Sequence, residues 1–217
     1  MDEGEPATAH DLDVVLLAGG SGTRLGGQDK AELEVGGQRL IDRAVAAIAP
    51  VLSADRTVVI VGPQRALHAA PALGIRWTRE TPPGGGPLAA TAAGLRLVRA
   101  PLVAVLAVDL PFLSWAAVHR LARALVAEPS AAGALYVDAT GHDQLLFGVW
   151  RSGRLRGALP SEPHGKAMRL LASSQVVRVP VVDEVEAFDC DTPPDLDRAR
   201  RLATFGVTAE RGGGDAR

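Results

Sequence analysis

The strongest constraint on this chain is the run Leu16 to Lys30, LLAGGSGTRLGGQDK, where an apolar stretch passes directly into a loop holding five glycines and two cations. Val14, Val15, Leu16 and Leu17 offer no polar face, so Leu12 to Leu17 is predicted to be a parallel strand that the fold must cover on both sides. Gly19, Gly20, Gly22, Gly26 and Gly27 can take positive φ and bring backbone N–H groups close to anionic oxygens. Arg24 adds a planar, bidentate cation and Lys30 a point charge, a pairing suited to a polyphosphate. The competing reading is an ordinary surface turn, but five glycines impose an entropic cost for which such a turn has no use.

Two familiar phosphate loops do not fit. Gly22 and Gly27 have the glycine spacing of a P-loop, but Gln28 stands where that motif needs Lys. Counting from Gly20, the dinucleotide fingerprint finds Gly22 and then Leu25 in place of its third glycine.

The run LAGGSGTRLGGQDK does resemble the signature of the nucleotidyltransferases related to molybdenum cofactor guanylyltransferase, L-A-G-G-x-G-x-R-M-G-G-x-D-K. Leu25 replaces Met, a swap that conserves volume. Cytidylyltransferase relatives read L-A-A-G without G-G-x-D-K, so Gly20, Gly26, Gly27 and Asp29 favour guanine. The resemblance implies a Rossmann-like nucleotidyltransferase fold, with Leu17, Ala18, Gly19, Gly20, Gly22, Arg24 and Lys30 on the nucleotide.

With 217 residues, 47% of them hydrophobic, the chain can bury one substantial core. A single domain over 12–206 is expected, with residues 1–11 and 207–217 as disordered ends. A net charge of −2 gives no broad basic field, which argues against nucleic acid and anionic membranes as partners. The single Cys190 excludes an internal disulfide and any Cys-rich zinc site, and reads as a small buried apolar residue. Leu102 to Val108 is the most apolar segment and is only strand-sized, and residues 1–11 are acidic without an apolar core; a cytoplasmic protein is expected.

The element order predicts an α/β, doubly wound, mostly parallel open sheet in three layers. Strands are expected at Leu12 to Leu17, Thr57 to Val61, Ile75 to Thr78, Leu102 to Ala107, Ala134 to Val137, Leu145 to Trp150 and Val176 to Val179, the later ones including an antiparallel pair. Helices are expected at Leu40 to Leu52, from Pro87 to about Val98, from an N-cap at Ser114 to about Ala127, and from Pro194 to about Phe205. Ligands of such sheets sit at the carboxyl ends of the strands. The loop after the first strand, the turn Gly84 to Gly86 and Asp109 are therefore expected to converge on one edge.

Asp109 directly follows an apolar strand, where an unpaired carboxylate needs a partner. In the family that Val108-Asp109-Leu110-Pro111 resembles, this Asp binds Mg²⁺ and the nucleotide; otherwise it would cap the next helix or end the strand in water. Phe188-Asp189-Cys190-Asp191-Thr192-Pro193-Pro194-Asp195-Leu196 resembles the late D/N-x-D/N-T-P-x-D-L motif. That assigns Asp191, and less firmly Asp189, to the metal, whereas an ordinary helix start is the alternative; Asp195 suits the helix N-terminus. Glu80 matches the family's acidic nucleotide contact, and Ala90 replaces the last Gly of G-P-L-A-G. Val61 stands at a position that often carries a polar contact. Gln144 resembles the start of Q-P-L and would face the acceptor, with Leu145 in place of Pro.

The resemblance implies GTP as substrate, Mg²⁺ as cofactor and a molybdopterin-type phosphate as acceptor, with transient contacts to proteins of cofactor biosynthesis or to molybdoenzymes. Arg24, Lys30 and Asp109 would be the catalytic residues, aided by the amides of Ala18 to Gly22. Another base or acceptor on the same fold (CTP with molybdopterin, phospholactate, a sugar phosphate) remains open, as does a non-catalytic nucleotide-binding protein.

Overall fold

Alternation along each apolar run decides which layer a side chain enters, because successive residues of a strand point to opposite faces. The computed structural model describes residues 8, 11–20, 22–49, 56–68, 74–166, 168–172, 175–183 and 185–204. Its strands are β1 Leu12–Leu17, β2 Glu34–Val35, β3 Gln38–Arg39, β4 Val58–Val61, β5 Ile75–Thr78, β6 Leu102–Ala107, β7 Gly133–Val137, β8 Asp143–Arg151 and β9 Val176–Pro180. Its helices are α1 Leu40–Ile48, α2 Gly86–Leu95, α3 Trp115–Ala127, α4 Ser152–Ala158, α5 Arg169–Ala172 and α6 Pro193–Thr204, with 3-10 turns at Thr23–Leu25 and Lys30–Glu32.

Seven strands form one sheet in the order β5-β4-β1-β6-β8-β7-β9. β1 pairs in parallel with β4 and β6, β4 with β5, and β7 with β9. β8 runs antiparallel to both its neighbours, supplying the antiparallel element expected late in the chain. One face carries Val14, Leu16, Ile60, Ala104 and Leu106 against Ile41, Val45, Val118 and Leu121 of α1 and α3. The other carries Val15, Val59, Val61 and Val105 against Leu88 and Ala93 of α2 and Leu155 of α4. The result is the expected three-layer, doubly wound α/β sheet. Gly94 makes the close packing possible: a Cβ there would lie 2.6 Å from Val15 Cγ1.

A third, smaller cluster joins Leu25, Leu33, Val35, Leu40, Phe112, Cys190, Leu196 and Ala199. It fastens the short β2/β3 hairpin and α6 to the rest of the domain.

Several boundaries differ from expectation. α1 ends at Ile48, and the remainder of its predicted span at 50–52 lies outside the described residues. α2 stops at Leu95 because the chain tightens into turns, Leu97 N donating to Gly94 O and Val98 N to Leu95 O. The predicted helix end at Phe205, residues 1–7, 9 and 10 of the expected N-terminal end, and the C-terminal end at 207–217 lie outside the described residues. Asp11 is tied to the sheet, its carbonyl accepting from Leu102 N at 3.1 Å. Among the described residues no helix is long and apolar enough to cross a membrane.

Candidate active site

Because β1 and β6 are parallel neighbours with Leu17 opposite Ala107, the loops that follow them leave the sheet side by side. A cleft of about 580 Å³ opens at this edge, and Gly19, Gly20, Lys30, Glu80, Gly84, Gly86, Asp109, Gln144, Asp189 and Asp191 all line it. The three loops expected to converge therefore do so. Leu17, Ala90, Leu145, Phe147 and Met168 give it an apolar wall.

The first loop is folded around Gly22, which has φ 50° and whose carbonyl accepts from Leu25 N at 2.7 Å and Gly27 N at 3.0 Å. A Cβ at Gly22 would come within 2.0 Å of Gln28 O, so only glycine fits. Gly26 and Gly27 also take positive φ, but Gly19 and Gly20 do not, contrary to the expectation for all five. Those two line the cleft, and among the described residues neither amide has an internal acceptor. The Ala18 amide does not belong with them. It donates to Val61 O at 2.8 Å as a continuation of the sheet, which removes it from the expected set of phosphate contacts. Gly22 is buried and shapes the loop without lining the cleft.

Lys30 sits where the early loop meets both acidic segments. Its Nζ donates to Asp109 Oδ2 at 2.6 Å and to Asp191 Oδ1 at short range. Burial works against its charge, but the carboxylates of Asp109 and Asp191 outweigh that and hold the ammonium above its ordinary value. Arg24 is largely exposed and reaches Asp191 Oδ2 at 3.4 Å. Asp189 lines the same cleft. Loss of water around its carboxyl, reinforced by the charges of Asp191 and then Asp109, pushes it above the usual carboxylate range. Three carboxylates thus face one tightly held ammonium and one solvent-facing guanidinium.

The two acidic segments are joined through the backbone, Cys190 N donating to Asp109 O at 3.0 Å. Cys190 is fully buried, as expected, and burial, with the nearby Asp109 carboxylate, pushes its thiol up to about 12. Asp195 also behaves as its sequence context suggests: its Oδ2 accepts from Thr192 N at 2.9 Å and Thr192 Oγ1 at 2.6 Å, a reciprocal cap at the start of α6.

Glu80 Oε1 accepts from Gly84 N at 2.9 Å, closing the turn before α2 while lining the cleft. Ala90 turns its added methyl into the same space. Val61 is fully buried against α2 and makes no polar contact with the cleft. Gln144 lines the far wall, with Nε2 donating to Asp138 Oδ2 at 3.0 Å. The sequence reading missed Arg65, which bonds both Asp29 and the end of β1, and Met168 in the apolar wall.

The fold is that of the Rossmann-like nucleotidyltransferases. A solved structure of molybdopterin-guanine dinucleotide biosynthesis protein A from Archaeoglobus fulgidus superposes with a TM-score of 0.68 at 22% identity, covering 89% of this chain and 99% of that one. The 2-C-methyl-D-erythritol 4-phosphate cytidylyltransferase of Thermus thermophilus shares the fold at TM-score 0.57 and 23% identity, covering 88% and 98%. The fold by itself therefore does not select the base. Sequence narrows the group: residues 14–179 match the family described as MobA-like NTP transferase domain. A molybdenum cofactor guanylyltransferase of Bradyrhizobium sp. (strain ORS 278) is 34% identical over 210 residues, covering 92% of this chain and 96% of its own length. The chain belongs to the MobA-like nucleotidyltransferase family.

Proposed function

We propose that this chain is a Mg²⁺-dependent guanylyltransferase that moves GMP from GTP onto the terminal phosphate of a molybdopterin-type acceptor. The observation that carries the reading is the meeting of Lys30 with Asp109 and Asp191 beside the free amides of Gly19 and Gly20. The name of the Bradyrhizobium relative supports guanine and the acceptor.

Among the described residues no group of three or more His, Cys, Asp or Glu is arranged to hold a metal on protein ligands alone. Mg²⁺ is commonly held by one or two carboxylates together with substrate phosphates and water. Asp109 and Asp191 already converge on one cation, and Asp189 adds to a surplus of negative charge, so the donor set fits; these residues would hold the ion. Bound there, Mg²⁺ supplies charge neutralisation on the phosphates.

The remaining work falls to the chain itself. The Gly19 and Gly20 amides orient the triphosphate, Lys30 holds negative oxygens inside the cleft, and Arg24 adds a second cation from the solvent side. An oxygen of the acceptor phosphate attacks the α-phosphorus, the bond to the β-phosphate oxygen breaks, and pyrophosphate leaves. The attacking oxygen is already anionic at neutral pH, so no general base is needed. Gln144 and the apolar wall would meet the acceptor. The reaction is assigned to the cytoplasm.

The test is pyrophosphate release with GTP, CTP or ATP against molybdopterin, phospholactate and a sugar phosphate, with and without Mg²⁺. Turnover with GTP and molybdopterin, dependent on Mg²⁺, is expected, as is tighter calorimetric binding of GTP than of CTP or ATP. A preference for CTP would overturn the guanine assignment, and absence of turnover with every pair would overturn the enzymatic reading.

A further inference from the structure

Arg65 lies on the loop after β4 and belongs to none of the motifs discussed above. Its side chain is only 9% exposed despite that loop position, because its guanidinium is surrounded by acceptors. Nη1 donates to Ala18 O at 3.2 Å and Pro63 O at 2.8 Å. Nε donates to Asp29 Oδ2 at 3.1 Å, Nη2 bonds the same oxygen, and Nε also lies 3.3 Å from Glu32 Oε1. The other carboxylate oxygen of Asp29 accepts from Ala31 N at 3.1 Å and so caps the turn that begins at Lys30.

Ala18 and Asp29 are the two ends of the glycine-rich loop. One guanidinium therefore grips the loop where it leaves β1 and again where it delivers Lys30. The grip is close because the β1 and β4 loops touch: a Cβ on Gly62 would fall 2.6 Å from Ala18 O. A planar fork carries its donors on three separate nitrogens in a fixed geometry, so it can span a carbonyl on one side and a carboxylate on the other, whereas an ammonium offers a single, more compact and less rigid point of contact. A loop with this much glycine has many open conformations, and holding its ends together removes most of them.

We propose that Arg65 is a positioning residue for the triphosphate: by latching Ala18 to Asp29 it keeps the Gly19 and Gly20 amides and Lys30 aimed into one cleft. This rests on reading the cleft as a nucleotide site. The latch acts through the loop and touches no substrate.

The experiment compares wild type with Arg65→Lys, Arg65→Gln, Asp29→Asn and the double variant Arg65→Lys/Asp29→Asn. Binding is measured with GTP and with inorganic tripolyphosphate, a probe that ignores the base, alongside steady-state turnover and thermal melting. Arg65→Lys is expected to weaken binding of both probes on the order of tenfold and to raise the nucleotide KM, leaving the acceptor KM unchanged and melting within about 5 °C of wild type. Asp29→Asn should do the same, and the double variant should be little worse than either single one, because all break one latch.

If Arg65→Lys and Arg65→Gln bind tripolyphosphate as tightly as wild type and differ only in melting, Arg65 is structural and the latch is wrong. Additive losses in the double variant would also overturn it. Wild type that binds neither GTP nor tripolyphosphate would instead bring down the nucleotide reading, and the latch with it.

Discussion

Lys30 Nζ lies 2.6 Å from Asp109 Oδ2, although 79 positions separate the two residues in the chain. The parallel pairing of β1 with β6 makes this possible, since it ends both strands at the same edge and leaves their loops in contact. The same ammonium reaches Asp191, 161 positions away, so one side chain ties the first loop to the last acidic segment.

Removing that side chain should disable the site. Lys30→Ala is expected to weaken GTP binding and slow turnover at least about tenfold, since a charge-assisted contact is worth ~1.5 to 3 kcal/mol. Titration calorimetry and pyrophosphate release check this, and unchanged kinetics would remove Lys30 from the chemistry. The pH dependence follows from the raised pKa: the stabilisation that Lys30 brings is fully present below its ordinary value of 10.5 and is lost only as pH rises through the higher folded value. The difference in Tm between wild type and Lys30→Met should therefore stay constant from about pH 7 to about pH 9.5.

Asp109→Asn should keep the fold and much of the nucleotide affinity while losing turnover by about a hundredfold or more. The amide preserves shape and an acceptor for Lys30 but lacks the negative charge that holds a hard cation. Melting reports the fold and pyrophosphate release the chemistry. A variant that melts far below wild type yet turns over normally when folded would make Asp109 a strand-end residue only.

Two glycines of the same loop should respond differently. Gly26→Ala places a side chain in a left-handed conformation with no atom within 4 Å of its Cβ, and is expected to cost about 1–2 kcal/mol. Gly22→Ala adds a collision with Gln28 O at 2.0 Å, so it should cost more and displace the segment leading to Asp29 and Lys30, with loss of GTP binding. Chemical denaturation of both variants, paired with GTP titration, distinguishes the effects. Equal costs and equal binding would overturn the role assigned to Gly22.

Cys190 should be inert in the folded protein. With its thiol pushed up to about 12, roughly one molecule in 10⁴ carries a thiolate at pH 8, and the sulfur is buried besides. Iodoacetamide should label it only after denaturant is added; rapid labelling of native protein would show that the late acidic segment opens.

Much of this architecture was legible in the chain because strand-length apolar runs and amphipathic helices carry their own periodicity. Leu102–Ala107 and Ile75–Thr78 fall where expected for that reason. The hairpin Glu34–Val35 with Gln38–Arg39 was not seen, since two-residue strands cannot display alternation. Arg65 left no local sign, because its partners are a backbone carbonyl 47 positions away and a carboxylate 36 positions away. The glycines needed coordinates as well: sequence permits positive φ at Gly19 and Gly20, but only the packing reveals that they do not use it. Asp109 and Asp191 entered as candidates through resemblance to a family, and their convergence on one ammonium is a property of the folded chain.

The small cluster that holds Leu25, Phe112, Cys190, Leu196 and Ala199 stands apart from the two large cores that flank the sheet. It is therefore a natural boundary for sub-global opening, in which α6 peels away while the central strands keep their hydrogen bonds. Such an excursion would carry off Asp189 and Asp191 and loosen Leu25 together. Loss of activity in mild denaturant would then precede loss of ellipticity, making inactivation and unfolding separable events in one domain.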